Sequence, residues 1–505
     1  VRSARAIRQT AIALFVAIFV SNAYFVQGTG MNQNSRFDLV RAIVEQHALS
    51  IDTYESNTID KSTMNGHYYS DKAPGLSFVS VPAYALVHAL GWPSPDRPPD
   101  VLHVVTVLVI GVTSSAAAII LFLVLVSMGV RRLLAALGTV AWTLGTNAFG
   151  YATLFLAHQF VGALLIASFG LLHAAKDPRY AAHRRWLVPV AGAVGSLAAI
   201  SEYPAAVAGV MLFAYGAYAL GPRRMIPFAG AALAPVAVLM AYNASCFGGP
   251  FSLSYAHFAA PEVKEVFDQG LFGLGLPKLY PLGQILFGEA RGLLPLSPFL
   301  VLAVPGAVVM ARDPKRKGEA WLAIGVVLYF LLLNASLSSR SPGWHAGVSM
   351  GPRFVVPMLP FAVMLAAVGF EAAARLRAPY GTPAVAACVL LVAVSVATCT
   401  MAVTVMPEFL DQRTVRSPDP SIPLPDMRHP LTAFVFPLFV RGYVSVKGVT
   451  STGQLGLAYT APHHEWDAFN LGEALGLPGL SSLLPLLLVW ATAALACARA
   501  RECAG

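Results

Sequence analysis

The chain has 505 residues, 56% of them hydrophobic and only 12% charged, with a formal net charge of +9. Soluble domains are roughly 25% charged, whereas several apolar runs here reach the roughly 20 residues that cross a bilayer; an ordinary soluble protein is excluded. The Lys and Arg residues stand in short clusters between apolar runs, as in proteins that fix their orientation in a membrane, and this excludes a nucleic-acid binder. Cys246, Cys388, Cys399, Cys497 and Cys503 show no metal spacing, and neither a disulfide nor a zinc site is expected.

Arg2, Arg5 and Arg8 precede the apolar run Thr10 to Val26, so the first helix is expected to start in the cytoplasm and deliver the next segment outside. A cleavable signal peptide ending near Ser21-Asn22-Ala23 is the rival reading and gives the same orientation. The segment Gly75 to Leu90 contains Pro82 and His88 and precedes the proline-rich stretch Trp92 to Pro99. It is read as an interfacial helix, not a span. Spans then follow at Val101 to Met128, Leu133 to Phe149, Thr153 to Ala174, Leu187 to Ile200, Pro204 to Leu220 and Met225 to Tyr242. Further spans follow at Leu293 to Met310, Trp321 to Asn334, Phe354 to Ala374, Ala384 to Val405 and Leu475 to Ala496.

With that register Arg131-Arg132, the cluster Lys176 to Arg185, Arg223-Arg224, the cluster Arg312 to Lys317, Arg375, Arg377, Arg499 and Arg501 all face the cytoplasm. Making Gly75 to Leu90 a span would put several of them outside, against the positive-inside rule. The expected fold is an all-α polytopic membrane protein, one domain over 1–505 with about 12 transmembrane helices. Its external loops are 28–100, 243–291, 335–353 and 406–470, with interfacial helices in the first.

The polar residues gather in those loops and at the outer ends of the spans, which points to a catalytic first loop. Asp38 and Asp71 are candidate bases, because an oxygen nucleophile attacking a sugar needs a carboxylate to take its proton. Glu45, Asp52, Glu55 and Asp60 are further acids in the same loop. Asp38 equally suits the cap of a helix running from Leu39 to Gln46. Lys72, Arg291 and Arg353 suit the phosphate of a lipid carrier, Arg bidentately and Lys as a point charge; interfacial snorkelling is their bland reading.

His67, Tyr69, Tyr203, Trp344 and His345 suit stacking on a sugar or hydrogen bonds to its hydroxyls, or membership of an interfacial aromatic belt. His158 is a lone intramembrane histidine for which a structural hydrogen bond is the plainer role. Asn243 lies near the outer end of its span. Glu202, before Tyr203-Pro204 at the join of two spans, would be costly there without a partner, so it is counted with the binding groups. No Gly-rich nucleotide loop and no metal-ligand spacing are present, so no cofactor is expected, a divalent metal stays open, and a sugar donor would arrive membrane-bound.

Ser35-Arg36-Phe37-Asp38 after the first span, followed by Gly66-His67-Tyr68-Tyr69-Ser70-Asp71-Lys72-Ala73-Pro74, resembles the start of GT-C glycosyltransferases. The likeness is to the family 39 and RgtA/B/C/D-like group, which includes protein O-mannosyltransferases and the lipid A aminoarabinose transferase. Tyr242-Asn243 with Phe247-Gly248, Arg291-Gly292-Leu293 with Ser297-Pro298-Phe299, and Trp344 with Gly351-Pro352-Arg353 resemble later outer-face segments of bacterial members.

The resemblance implies transfer of a hexose or pentose from a polyprenyl-phosphate carrier to a glycan, lipid or protein acceptor outside the cytoplasm of a bacterial inner membrane. It also implies a first-loop Asp as base and Lys72 on the carrier phosphate. Aligning Arg36-Phe37 on the family's Arg-Tyr puts Gln33 and Asn34 where the family has an acidic pair. An amide is no base at neutral pH, so the carboxylate falls to Asp38 or to Asp71, and Asn34 and Arg36 count as binding residues. A transporter or flippase of lipid-linked sugars is the alternative from another class; it would carry polar sites near the bilayer midplane in related halves. An inactive GT-C relative is the third.

Overall fold

The computed structural model describes residues 2–27, 30–91, 98–268, 273–289, 292–337, 350–405, 415–416, 429–444, 450–451 and 468–500. Among them eight helices are long and apolar enough to cross a membrane: Ala4–Tyr24, Val101–Ser127, Ala157–Lys176, Pro222–Phe247, Lys317–Ser336, Arg353–Ala373, Gly381–Val405 and Gly479–Arg499. Shorter apolar helices include Gly75–Ala89, Arg132–Leu144, Ala205–Leu220 and Pro298–Arg312, and Arg184–Ser201 packs among them.

The predicted spans fall largely on helix, but the helix in Thr153 to Ala174 begins only at Ala157 and that in Leu475 to Ala496 only at Gly479, and two other stretches are interrupted. The stretch predicted as Leu293 to Met310 is broken at Ser297 (φ −139°, ψ 64°) before Pro298, so a one-turn helix Leu293–Leu296 precedes the longer piece. Proline lacks the amide hydrogen and disfavours helical backbone at the residue before it. The stretch Leu133 to Phe149 likewise stops at Leu144, and a separate short helix Ala148–Ala152 follows Gly145, Thr146 and Asn147. Gly75–Ala89 is a 15-residue helix, about 22 Å long at 1.5 Å per residue and therefore short for a ~30 Å hydrocarbon core.

The bundle carries two chemically different groups of side chains. At one end Arg132 donates to the carbonyls of Cys497 and Ala500 and to Thr10, Glu371 accepts from Arg131 and Arg375, and Glu319 accepts from Lys176 and Tyr215. The basic connectors thus meet there. At the other end lies the loop after the first helix.

That loop opens with the helix Met31–Arg41, capped by Gly30. Asp38 is therefore mid-helix, and the capping role weighed for it is corrected: the helix starts seven residues earlier than Asp38, at Met31. A π-helical turn, Ala42–Gln46, ends at His47 in the left-handed region (φ 54°). Strands Lys61–Met64 and His67–Ser70 then pair antiparallel around Asn65 (φ 52°) and Gly66 (φ 82°). Two consecutive positive φ values define the type I′ turn that matches strand twist, for which Asn-Gly is the preferred pair.

Candidate functional site

The hairpin register builds the charged centre of the loop. Lys61 pairs with Ser70, which sets Asp60 beside Asp71 at the open end of the hairpin. Between them lies Lys72, whose Nζ is 2.9 Å from Asp60 Oδ2 and 2.9 Å from Asp71 Oδ2. Ser35 on the loop helix donates to Asp71 Oδ1 at 3.2 Å and lies 2.9 Å from the Ser70 hydroxyl. Ser254, from the segment after the Pro222–Phe247 helix, donates to the Asp71 carbonyl at 2.8 Å. Burial raises the Asp71 carboxyl to about 6 against the pull of Lys72. Burial also works against the Lys72 charge, but its two carboxylate partners outweigh it and hold the ammonium above its ordinary value.

Arg36 ties this centre to the bundle. Its guanidinium donates to Glu202 at 2.5 Å, to the Ala73 carbonyl at 3.1 Å and to Asn32 Oδ1 at 3.1 Å. Arg36 and Glu202 are both buried, so each is the other's countercharge. Tyr203 stands edge-on to Tyr255, ring centroids 5.3 Å apart. Gly75 lets the start of the Gly75–Ala89 helix approach the end of the Arg184–Ser201 helix just before Glu202, because a Cβ there would lie 2.8 Å from the Ser201 amide nitrogen.

Asp38 faces a different neighbour. Asn57 donates to its Oδ1 at 3.0 Å, while its Oδ2 is buried with no hydrogen-bond partner. Asn34 donates to the Asn57 carbonyl at 2.9 Å. Burial raises the Asp38 carboxyl to about 8, with Asn57 and Arg41 opposing. Gln33 accepts from the Phe155 amide at 3.0 Å.

Arg353 begins the helix after Gly351-Pro352, and Asn147 and Tyr151 donate to the carbonyls of Pro352 and Gly351 at 3.4 and 3.5 Å. Its guanidinium lies 5.2 Å from the Phe354 ring, and its Nε is buried with no partner. His158, 2% exposed, sits between Phe354 and Tyr151, with centroids at 5.5 and 5.8 Å. Neither ring nitrogen has a hydrogen-bond partner among the described residues, so the structural hydrogen bond expected of it is not found there. The charges of Arg353, Arg36 and Lys72 all act on this imidazole.

Three candidates stand apart. His67 is at the hairpin tip, paired with the exposed Asp52 at 2.8 Å. Tyr69 packs on Phe247 at 5.5 Å, and Asn243 donates to the Pro250 carbonyl at 3.3 Å beside the same aromatic group. Arg291, Trp344 and His345 lie outside the described residues. Ser35, Asn57 and Asn147 were not singled out from sequence, and Asp60 was one acid among several. Only the Asn65-Gly66 turn signal could have placed Asp60 opposite Asp71.

Fold and site together define a helical membrane protein with a buried cluster of ionised side chains at one end of its bundle. No family model matches the sequence, and no curated protein does. Among solved structures the chain is similar to the archaeal oligosaccharyltransferase AglB from Archaeoglobus fulgidus in complex with an inhibitory peptide and a dolichol-phosphate. Identity is 12%, TM-score 0.46, and the match covers 77% of this chain and 56% of that one. It is also similar to ArnT from Cupriavidus metallidurans bound to undecaprenyl phosphate, with 15% identity, TM-score 0.47 and coverage of 78% and 64%. The apo state of ArnT gives 15%, 0.46, 78% and 63%. The chain thus spans less than two thirds of the length of each of these proteins.

Proposed function

We propose that the chain is a membrane glycosyltransferase of the GT-C type, moving a hexose or pentose from a polyprenyl-phosphate carrier to an acceptor on the extracytoplasmic face. The observation that carries this reading is Lys72 held at 2.9 Å by both Asp60 and Asp71, inside the loop whose motifs resemble the family's. An acceptor oxygen attacks the anomeric carbon, its proton passes to a carboxylate, and the bond from that carbon to the carrier phosphate breaks. The carrier leaves as polyprenyl phosphate, whose charge suits Lys72. Asp71 is the better base, since Lys72 at 2.9 Å opposes the rise that burial gives its carboxyl, whereas burial dominates at Asp38, where only Asn57 meets one carboxylate oxygen among the described residues. Tyr203 and Glu202 border the same centre, Arg291, Trp344 and His345 remain candidates by sequence, and the acceptor is a glycan, lipid or protein.

The test is release of free carrier by the purified full chain from a panel of polyprenyl-phosphate sugars. Asp71→Asn is expected to slow release by about 100-fold or more, the scale of general-base catalysis, while Asp38→Asn keeps most of the rate. The wild-type rate is expected to fall as pH drops through about 6, where Asp71 takes up its proton. Undiminished release by Asp71→Asn, or no release from any sugar tried, overturns the reading.

A further inference from the structure

The group of side chains around His158 is short of hydrogen bonds in a way that describes a ligand. Asn147 Oδ1, His158 Nδ1, His158 Nε2 and Arg353 Nε are all buried and have no hydrogen-bond partner among the described residues. They belong to one locality: Asn147 donates to the Pro352 carbonyl, Arg353 follows Pro352, and Phe354 packs on His158. A buried polar atom without a partner costs about 1–3 kcal/mol, so four in one place mark a site completed by something else.

Their chemistry restricts what that is. Arg353 Nε–H is a donor, Asn147 Oδ1 is an acceptor, and a neutral imidazole supplies one of each. A bare phosphate brings acceptors only and would leave Asn147 and one imidazole nitrogen unsatisfied. Hydroxyl groups donate and accept, and a polyhydroxylated ring matches all four atoms. Arg353, Arg36 and Lys72 also act on this place with positive charge. Arg36 and Lys72 have carboxylate partners; Arg353 has none among the described residues. A ligand carrying an ammonium group would meet an uncompensated guanidinium. Arg353 and Phe354 are only half-buried, which leaves their side of the group as the way in.

We infer that Asn147, His158 and Arg353 form the subsite for the sugar of the lipid-linked donor, and that it selects a hydroxyl-bearing sugar without a positive charge. This rests on the carrier reading above and adds to it what the sugar is. His158 and Arg353 touch the sugar; Asn147, through Pro352, also positions the Arg353 loop.

The experiment measures binding of the full chain in lipid nanodiscs to three probes: bare polyprenyl phosphate, the same lipid carrying a neutral hexose, and the same lipid carrying an amino pentose. Wild type is expected to bind the hexose-loaded lipid about tenfold tighter than the bare lipid, one well-made set of polar contacts, and to show no such advantage for the amino sugar. His158→Phe keeps the ring between Tyr151 and Phe354 but removes both nitrogens. It is expected to erase the tenfold advantage, leave bare-lipid binding unchanged, and raise the thermal unfolding midpoint, because two orphaned polar atoms disappear. His158→Gln, with a donor and an acceptor, is expected to keep most of the advantage. A His158→Phe protein that still prefers the hexose lipid, or a wild type that prefers the amino sugar, overturns the sugar subsite alone. A wild type that binds none of the three lipids overturns the carrier reading and the subsite with it.

Discussion

Residue chemistry at the loop end is dominated by pairs that neutralise one another. Arg36 and Glu202 are 166 residues apart in sequence and 2.5 Å apart in space, with side chains 2% and 11% exposed. Removing one partner of such a pair strands a buried charge and costs about 3–5 kcal/mol, whereas replacing both by apolar groups is often close to neutral. Arg36→Met and Glu202→Leu alone are therefore expected to lower the unfolding midpoint of the detergent-solubilised chain sharply, and the double variant to recover most of the loss. Single variants that melt with wild type would show the pair to be dispensable. The sequence exposed the cost of Glu202 at a span junction. Its partner was not legible, because nothing local in the chain links position 36 to position 202. Asp38 shows the opposite limit: the residue type suggested a base, but only its burial reveals a carboxyl raised to about 8.

Among the elements, the hairpin does most to assemble the site. Its two strands are only four residues each, and Lys-Ser-Thr-Met with His-Tyr-Tyr-Ser lacks the apolar alternation that identifies a strand in sequence. Asn65-Gly66 is therefore its one strong local signal, whereas the long apolar helices are readable from composition. The register set by this turn places Asp60 next to Asp71, and with it the clamp on Lys72. Gly66 has φ 82° and open space where a Cβ would go, so a larger residue there is opposed by the backbone conformation and not by packing. Gly66→Val is expected to cost about 1–2 kcal/mol locally. Limited proteolysis of the folded chain should then cut faster within 58–70, and carrier release should fall although no charged side chain has changed. Equal cleavage and equal release would show that the turn does not hold the clamp.

At the scale of the whole molecule the two ends carry different chemistry, and the proposed reaction depends on which faces the cytoplasm. Basic connectors follow a rule that acts along the chain, so the order of the apolar helices is legible from sequence and their direction is an expectation of that rule. The breaks at Ser297-Pro298 and after Leu144 were less so, since both interrupt runs that remain apolar on average. Arg131, Arg132, Lys176 and Arg375 meet at one end around Glu319 and Glu371 or the last turn of the Gly479–Arg499 helix. If that end faces the cytoplasm, the Lys72 clamp faces outward, where a lipid-linked sugar is presented to acceptors beyond the membrane. Reporter fusions truncated at Arg185 and at Arg316 are expected to report the cytoplasm, and one truncated at Glu55 the outside. A cytoplasmic signal at Glu55 would turn the clamp inward and overturn extracytoplasmic transfer, while leaving the polar pairing of Asp60, Lys72 and Asp71 as it stands.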